Sequence, residues 1–192
     1  QMKKAATKTR ASERRIKEQL APIKEWFNSK NWKPMPFQLK TWKAYLDGKS
    51  GLIQVPTGSG KTLAAIMGPI ARYLARNKIE KTIKLVYITP LRALSRDLGI
   101  AIQEPIDEMN WNIKVGIRNG DTKSSERTRQ LKTPPDILVT TPESLSVLIS
   151  NKKASALLKD VDTVILDEWH ELLGSKRGTQ AELCLSWLRE KN

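Results

Sequence analysis

Seven consecutive residues in the first third of the chain could bind phosphate groups: Pro56, Thr57, Gly58, Ser59, Gly60, Lys61 and Thr62. The two glycines allow backbone N–H groups to turn inward around phosphate oxygens, because no Cβ atom stands in the way. A helical pattern follows, and the start of a helix adds a partial positive charge. Lys61 can then reach the β- and γ-phosphates of a nucleotide, and the Thr62 hydroxyl is suited to Mg²⁺. The pattern predicts a P-loop that binds ATP and Mg²⁺.

One position departs from the general P-loop pattern, which begins with a glycine five positions before Gly60. Val55 stands there, and we interpret it as the last residue of a strand, Gly51–Val55. A glycine-rich turn that merely joins a strand to a helix is the alternative interpretation. The Gly-Lys-Thr ending between a strand and a helix favours phosphate binding.

A pair of acidic residues, Asp167 and Glu168, follows the last apolar run of the chain. On its own, such a pair more often begins a solvated loop. A carboxylate at the end of a buried strand beside a P-loop strand, however, is where a ligand of Mg²⁺ is needed, so we assign that role to Asp167. Glu168 can orient and deprotonate an attacking water molecule. His170 is the only histidine, which argues against a zinc site, and we expect it to couple hydrolysis to a partner domain.

Five strand-like apolar runs alternate with helical patterns along most of the chain. They are Gly51–Val55, Ile83–Thr89, Ile113–Ile117, Ile137–Thr140 and Val161–Leu166. Strands that alternate with helices predict an α/β fold with a mostly parallel, twisted sheet and helices on both faces. The runs Leu85–Ile88 and Thr163–Leu166 are apolar on both faces, which predicts central strands covered from each side.

The region before the P-loop is predicted to be helical, except at its start. Residues 1–10 are basic and lack periodicity, so we expect little order there. A helix is predicted from Ser12, as its N-cap, with an interruption near Pro22. A second helix is predicted over Phe37–Leu46 and ends at the Asp47-Gly48 pair.

The chain is strongly basic, with 34 Lys and Arg residues against 20 Asp and Glu and a net charge of +14. Such an excess favours polyanionic partners, because each neutralised phosphate releases condensed counterions. The single cysteine, Cys184, lies in an apolar run and is predicted to be a core residue. Cysteine usage fits a reducing, cytoplasmic location, and no run is long enough for us to expect a membrane partner.

Several segments together resemble the motifs of superfamily 2 helicases of the DExH type. Thr57–Thr62 and Asp167–His170 resemble motifs I and II. Four further segments resemble, in order, the Q motif, motif Ia, a glycine motif and motif Ib: 37–38, 89–94, 118–122 and 140–144. The run 167–178 closely resembles the large helicase-related (Lhr) group, particularly the bacterial ligase-associated DEXH-box DNA helicases. The resemblance extends over about Trp26 to Asn192.

The resemblance implies roles for further residues. Gln38 would read the adenine edge of ATP. One strand of a nucleic acid would run along a track lined by Pro90, Arg92, Gly120, Asp121, Thr141 and Pro142. Backbone tracking of this kind uses cations, hydroxyls and main-chain N–H groups.

The resemblance also implies a domain organisation. Residues 31–192 would form the first RecA-like, ATP-binding domain of a helicase, and residues 1–30 a basic N-terminal extension with a helix. We expect the chain to stop before motif III and to lack the second RecA-like domain of the same polypeptide. That domain would supply an arginine finger, so we expect this domain alone to be nearly inactive.

The function implied is that of an ATP-hydrolysing helicase or translocase that binds single-stranded nucleic acid. DNA is favoured over RNA, with a role in DNA repair and an association with a DNA ligase. Two alternatives remain open: an RNA helicase domain, which uses the same motifs, and a nucleotide-regulated nucleic-acid-binding module without turnover. A small-molecule kinase would explain the P-loop but not the segments that resemble motifs Ia and Ib.

Overall fold

Residues 2–76, 80–172 and 174–191 are described by the computed structural model of the chain. The chain divides into two units, Gln1–Ile79 and Glu80–Asn192. The P-loop lies in the first unit, and the acidic motif lies in the second.

The described residues of the first unit form four helices: α1 (Met2–Gln19), α2 (Ala21–Ser29), α3 (Pro36–Leu46) and α4 (Lys61–Leu74). The predicted interruption near Pro22 is confirmed, since α2 starts there with the proline in its first turn, where no backbone N–H bond is lost. The predicted end of α3 is also confirmed. Asp47 follows its last residue, and Gly48 has a φ of 86°, the left-handed conformation in which helices often terminate.

Two predictions for the region of α1 were wrong. Residues 2–10 are helical rather than irregular, and Ser12 therefore lies inside α1 instead of capping it. Alanine, lysine and arginine have high helix propensity, and the prediction gave too much weight to the missing apolar periodicity. Gln1 lies outside the described residues.

The segment Gly51–Val55 is not a strand in the structure. Leu52 is 71% exposed, and the rest of the segment is exposed or half-buried. A strand depends on pairing and packing partners that are distant in sequence, which a short apolar run does not specify. The prediction of a strand at this position is therefore corrected.

In the part of the second unit that the structure describes, the sheet has four parallel strands: β1 (Leu85–Ile88), β2 (Val115–Arg118), β3 (Ile137–Thr140) and β4 (Thr163–Leu166). Their order across the sheet is β2-β3-β1-β4. The connections contain α5 (Arg92–Glu108), α6 (Ser124–Lys132), α7 (Pro142–Ile149) and α8 (Ala154–Leu158). After β4 come a short 3₁₀ helix (Trp169–Leu172) and α9 (Lys176–Lys191). Four of the five predicted strands are thus confirmed.

Helices cover both faces of this sheet. Val86, Ile88 and Leu138 belong to a buried cluster with residues of α7, α8 and α9. On the opposite face, α5 approaches β2 so closely that a Cβ atom on Gly99 would lie 2.4 Å from Ile117 Cδ1. Successive strand residues point to opposite faces of a sheet, so helices are needed on both sides to bury them. The structure therefore has the predicted α/β architecture.

The position of β4 differs from the prediction. β4 is an edge strand of the described sheet, and only Thr163 of its four residues is buried. Apolar composition alone does not distinguish a central strand from an edge strand, since both can present large aliphatic side chains.

Cys184 lies in the core cluster of the second unit, as predicted. Burial raises the pKa of its thiol to about 11, so it is protonated at neutral pH. Within the described ranges, no helix has the length and apolar character that crossing a bilayer requires.

Candidate functional site

The packing of α3 on α4 places Gln38 beside the P-loop. Gly68 lets the two helices approach, since a Cβ atom there would lie 3.1 Å from Tyr45 Cδ1. The buried Trp42 indole donates a hydrogen bond of 3.0 Å to the Leu63 carbonyl, and Arg72 Nη2 donates one of 3.0 Å to the Tyr45 carbonyl. These contacts join the second half of α3 to residues near both ends of α4. The position of Gln38, in the first turn of α3, is thereby defined relative to the start of α4.

Gln38 is buried and hydrogen-bonded to the P-loop itself. Its Nε2 donates to the Gly60 carbonyl at 3.1 Å, while its Oε1 accepts from the Met35 backbone N–H at 2.9 Å. A side-chain amide has two N–H donors and two lone pairs on its oxygen. These two bonds therefore leave Gln38 with capacity for a further partner.

Gly58 and Gly60 both adopt left-handed conformations, with φ angles of 79° and 82°. Nothing lies within 4 Å of the position that a Cβ atom on Gly58 would occupy. Ser59 Oγ donates a hydrogen bond to the Pro56 carbonyl, which closes the turn. Helix α4 begins at Lys61, and its N-cap, Gly60, offers no side chain to cap it. An open, glycine-turned loop at the N-terminus of a fourteen-residue helix fits the phosphates of a nucleotide.

The acidic motif lies at the carboxyl end of β4, where ligands bind in parallel sheets. The Asp167 N–H donates to the Ile88 carbonyl at 2.8 Å, so the chain leaves the sheet only after this residue. Asp167 Oδ1 accepts the Glu168 N–H at 3.0 Å, and the Glu168 carboxylate lies 3.3 Å from His170 Nε2. Glu168 has a φ of 48°, an uncommon conformation for a residue with a side chain. Strain of this kind often marks functional sites.

The ends of β1, β2 and β3 bring together the three segments that resemble nucleic-acid-binding motifs. The Thr89 N–H donates to the Thr140 carbonyl at 3.0 Å, and Thr140 Oγ1 donates to the Arg118 carbonyl at 2.7 Å. Asn119 Nδ2 donates to Ser95 Oγ at 2.9 Å, which joins the β2 end to α5. The segments 89–94, 118–122 and 140–144 are therefore neighbours.

Arg92, Gly120 and Asp121 form one exposed arrangement at this edge. Arg92 Nη1 pairs with Asp121 Oδ1 at 3.1 Å. The guanidinium lies against Gly120, where a Cβ atom would come within 2.6 Å of Arg92 Cζ. A side chain at position 120 would thus push the arginine away, and the carboxylate of Asp121 orients it.

The other three predicted track residues, Pro90, Thr141 and Pro142, are buried. Thr141 is the N-cap of α7, and its hydroxyl accepts the Ser144 N–H at 3.4 Å. The structure therefore separates the six residues into an exposed group that a ligand could touch and a buried group that shapes the turns.

The loop around Gly120 is supported by side chains to which the sequence alone gave no role. Arg127 donates to the Thr122 carbonyl at 3.0 Å and to the Asn119 carbonyl at 2.8 Å. Arg118 is buried, and its Nε has no hydrogen-bond partner among the residues that the structure describes. Burial lowers the pKa of Arg118, and the nearby positive charge of Arg127 lowers it further. No spacing rule marks such loop supports, because their partners are backbone carbonyls.

Arg177 is a second residue to which sequence analysis assigned no role. Its Nε pairs with Glu143 Oε1 at 2.7 Å, and its Nη1 donates to the Pro90 carbonyl at 3.3 Å. Arg177 was part of the run that resembles the Lhr group, but its partners lie far away in sequence. Only the fold brings them together.

The chain belongs to the DEAD/DEAH box helicase family, whose model matches residues 35–192. The ATP-dependent helicase Lhr-Core of Methanocaldococcus jannaschii is 41% identical over 180 residues, which cover 87% of this chain and 21% of that protein. The Lhr helicase/uracil glycosylase of Escherichia coli is 37% identical over 182 residues, covering 86% of this chain and 12% of its own length. The predicted resemblance to Lhr-type helicases is confirmed. The chain spans 21% and 12% of the length of these two relatives.

A solved structure of Mycobacterium smegmatis helicase Lhr, bound to single-stranded DNA and AMP-PNP, is similar over 89% of this chain and 23% of that one. The TM-score is 0.80, and the sequence identity is 36%. The predicted RecA-like α/β fold is confirmed by this likeness.

Proposed function

We propose that this chain is the ATP-binding part of a longer Lhr-type helicase or translocase that moves along single-stranded DNA. A second RecA-like domain of the same polypeptide would complete the motor, with residues 31–192 as the first such domain and residues 1–30 as a basic extension. A role in DNA repair and an association with a DNA ligase are further parts of the proposal, and they rest on resemblance alone.

The observation that carries the proposal is the P-loop with two left-handed glycines at the open N-terminus of α4. Its backbone N–H groups would surround the phosphates of ATP, and Lys61 would neutralise their charge. Gln38 would read the adenine edge with the donor and lone pair that its two internal bonds leave over. Pro56, Thr57 and Ser59 would shape the loop.

Thr62 and Asp167 would hold Mg²⁺, since hydroxyl and carboxylate oxygens suit this ion. Mg²⁺, when bound, would supply charge stabilisation for the phosphoryl group. Glu168 would orient a water molecule and accept its proton. His170, whose Nε2 is 3.3 Å from Glu168, would connect that carboxylate to the second domain.

Arg92, Gly120 and Asp121 would form the exposed part of the nucleic-acid track. The ion pair of Arg92 with Asp121 leaves other guanidinium N–H groups for a phosphate, because the guanidinium has five donors. Asp121 is better suited to orienting Arg92 than to approaching a phosphate, since two anions repel. Pro90, Thr141 and Pro142 would set the shape of the turns beneath.

The proposal predicts ATP hydrolysis that single-stranded DNA stimulates. Steady-state hydrolysis would be measured with oligodeoxythymidylate, with oligouridylate and without nucleic acid, for this chain and for the longer polypeptide. We expect stimulation in the longer polypeptide, larger with DNA than with RNA, and little turnover in this chain because the arginine finger would be missing. Larger stimulation by RNA would favour the RNA helicase alternative.

A Lys61→Ala variant is the control for contaminating ATPases, because the loop would lose its cation. Activity that survives this substitution would contradict the assignment of the P-loop. Binding of ATP without turnover in the longer polypeptide would favour the alternative of a regulated binding module.

The proposal also predicts that DNA binding weakens steeply with salt, and that Arg92→Ala lowers the slope of log K against log salt by about one unit. The physical reason is the release of counterions when a cation neutralises a phosphate. Fluorescence anisotropy of a labelled oligodeoxythymidylate over a range of NaCl concentrations would measure it. Arg129→Ala is the matched control, because Arg129 is also an exposed arginine in an ion pair, with Glu126 at 2.7 Å. Equal slopes for the wild-type and Arg92→Ala chains would show that Arg92 does not neutralise a phosphate of the bound DNA.

A further inference from the structure

Arg177 occupies the first turn of α9, directly after the segment that carries the acidic motif. Its neighbour Gly178 lies so close to the preceding 3₁₀ helix that a Cβ atom there would be 2.0 Å from the Leu172 carbonyl oxygen. The Gly178 N–H also donates to Ser175 Oγ at 3.1 Å. The start of α9 is therefore tightly placed relative to the end of the acidic segment, and the side chain of Arg177 projects from a defined position.

The guanidinium of Arg177 touches two neighbouring turns of the proposed nucleic-acid track, those that follow β1 and β3. Its Nε pairs with Glu143 in the first turn of α7, and its Nη1 donates to the Pro90 carbonyl between β1 and α5. Because the guanidinium is planar and rigid, its two bonds set the distance between the turns more firmly than a flexible ammonium could. The backbone hydrogen bond between Thr89 and Thr140 already joins the ends of β1 and β3. Arg177 joins the two turns that follow these strand ends.

Both members of the ion pair are about half exposed, at 49% for Arg177 and 44% for Glu143. Ion pairs at such exposure contribute little to folding stability. Their geometry can nevertheless matter, because Glu143 would otherwise present an unpaired carboxylate beside the path of a polyanion. Arg177 thus sets the distance between the two turns and also neutralises the charge of Glu143.

We propose that Arg177 is a positioning residue that holds the turns at Pro90 and Glu143 together and so links the acidic ATPase segment to the nucleic-acid track. This inference rests on the proposed function, and specifically on its nucleic-acid site. It predicts that loss of Arg177 weakens binding of single-stranded DNA while leaving the fold intact.

The test compares the affinity of a fluorescein-labelled oligodeoxythymidylate for the wild-type, Arg177→Ala, Arg177→Lys and Arg189→Ala chains. Arg189 is the matched control, since it is an exposed arginine near the other end of α9 and its removal changes the net charge equally. We expect Arg177→Ala to raise Kd about two- to fivefold relative to Arg189→Ala, the range that a half-exposed ion pair supports. The Kd of Arg177→Lys should lie between those of the wild-type and Arg177→Ala chains. Lysine can pair with Glu143 but cannot donate two hydrogen bonds in the fixed geometry of a guanidinium. Thermal unfolding midpoints of Arg177→Ala and Arg189→Ala should agree.

A double-mutant cycle with Glu143→Gln separates positioning from a general effect of charge. With glutamine at position 143 there is no carboxylate to neutralise, so Arg177→Ala should then change Kd much less than it does in the wild-type background. Equal affinities of Arg177→Ala and Arg189→Ala, or an Arg177→Ala effect that is unchanged by Glu143→Gln, would overturn the inference and leave the proposed function standing. Failure of the wild-type chain to bind the oligonucleotide would contradict the proposed nucleic-acid site and therefore also the inference.

Discussion

A Glu168→Gln variant is expected to bind ATP as tightly as the wild-type protein and to hydrolyse it about 10²- to 10⁴-fold more slowly. Glutamine has the same shape as glutamate but cannot accept a proton from water. Its amide can still be placed beside His170, which lies 3.3 Å from the Glu168 carboxylate, so the local fold should persist. Binding would be measured with a fluorescent ATP analogue, and hydrolysis by single-turnover release of phosphate in the longer polypeptide.

Glu171→Gln is the matched control for that experiment. Glu171 lies in the 3₁₀ helix that directly follows Glu168. Its side chain is 61% exposed and also approaches His170 Nε2, at 3.6 Å, so the substitution removes an equivalent charge from the same neighbour. We expect its turnover to stay near the wild-type value. Lys61→Ala, by contrast, should lose both binding and turnover. Wild-type turnover in Glu168→Gln, or an equal loss in Glu171→Gln, would show that the proton acceptor is another group.

The sequence was informative about the sheet because buried parallel strands have a strong local signature. Leu85–Ile88 and Ile137–Thr140 are almost wholly apolar, and every one of their residues is buried in the structure. For the runs Gly51–Val55 and Thr163–Leu166 the same signature was misleading. The first is not a strand and the second lies at an edge, since strand pairing depends on partners far away in the chain.

For the candidate site, the sequence predicts the P-loop and the acidic pair because their chemistry requires a few residue types at close spacing. It did not identify the supports of the site. The bonds from Arg177 to Pro90 and Glu143, and those from Arg127 to the loop at Gly120, join residues through backbone carbonyls or across elements. Such contacts use common residue types without a regular spacing. They became visible only once the strand ends were placed side by side.

Gly60→Ala is expected to destabilise the fold more than alanine at the other P-loop glycine, because position 60 is restricted in two independent ways. Its φ of 82° is unfavourable for a residue with a Cβ atom, and that atom would lie 2.6 Å from Gln38 Nε2. The conformation costs roughly 1–2 kcal/mol. Displacement of the Gln38 amide adds about 0.5–1.5 kcal/mol, because its hydrogen bond to the Gly60 carbonyl would be lost. Urea unfolding would measure the stability of the chain, and binding of a fluorescent ATP analogue would measure the accompanying loss of affinity.

Two other glycines separate these contributions. Gly58→Ala meets the same conformational cost, since φ is 79° there, but no atom lies within 4 Å of its Cβ position. Gly51→Ala meets neither restriction and should change stability by no more than about 0.5 kcal/mol. If Gln38 is the obstacle, Gly60→Ala should be less destabilising in a Gln38→Ala background than in the wild-type chain, because the clash is then absent. Additive effects of these two substitutions would mean that Gly60 is required for its backbone conformation alone, and that the contact between Gln38 and the P-loop does not restrict the loop.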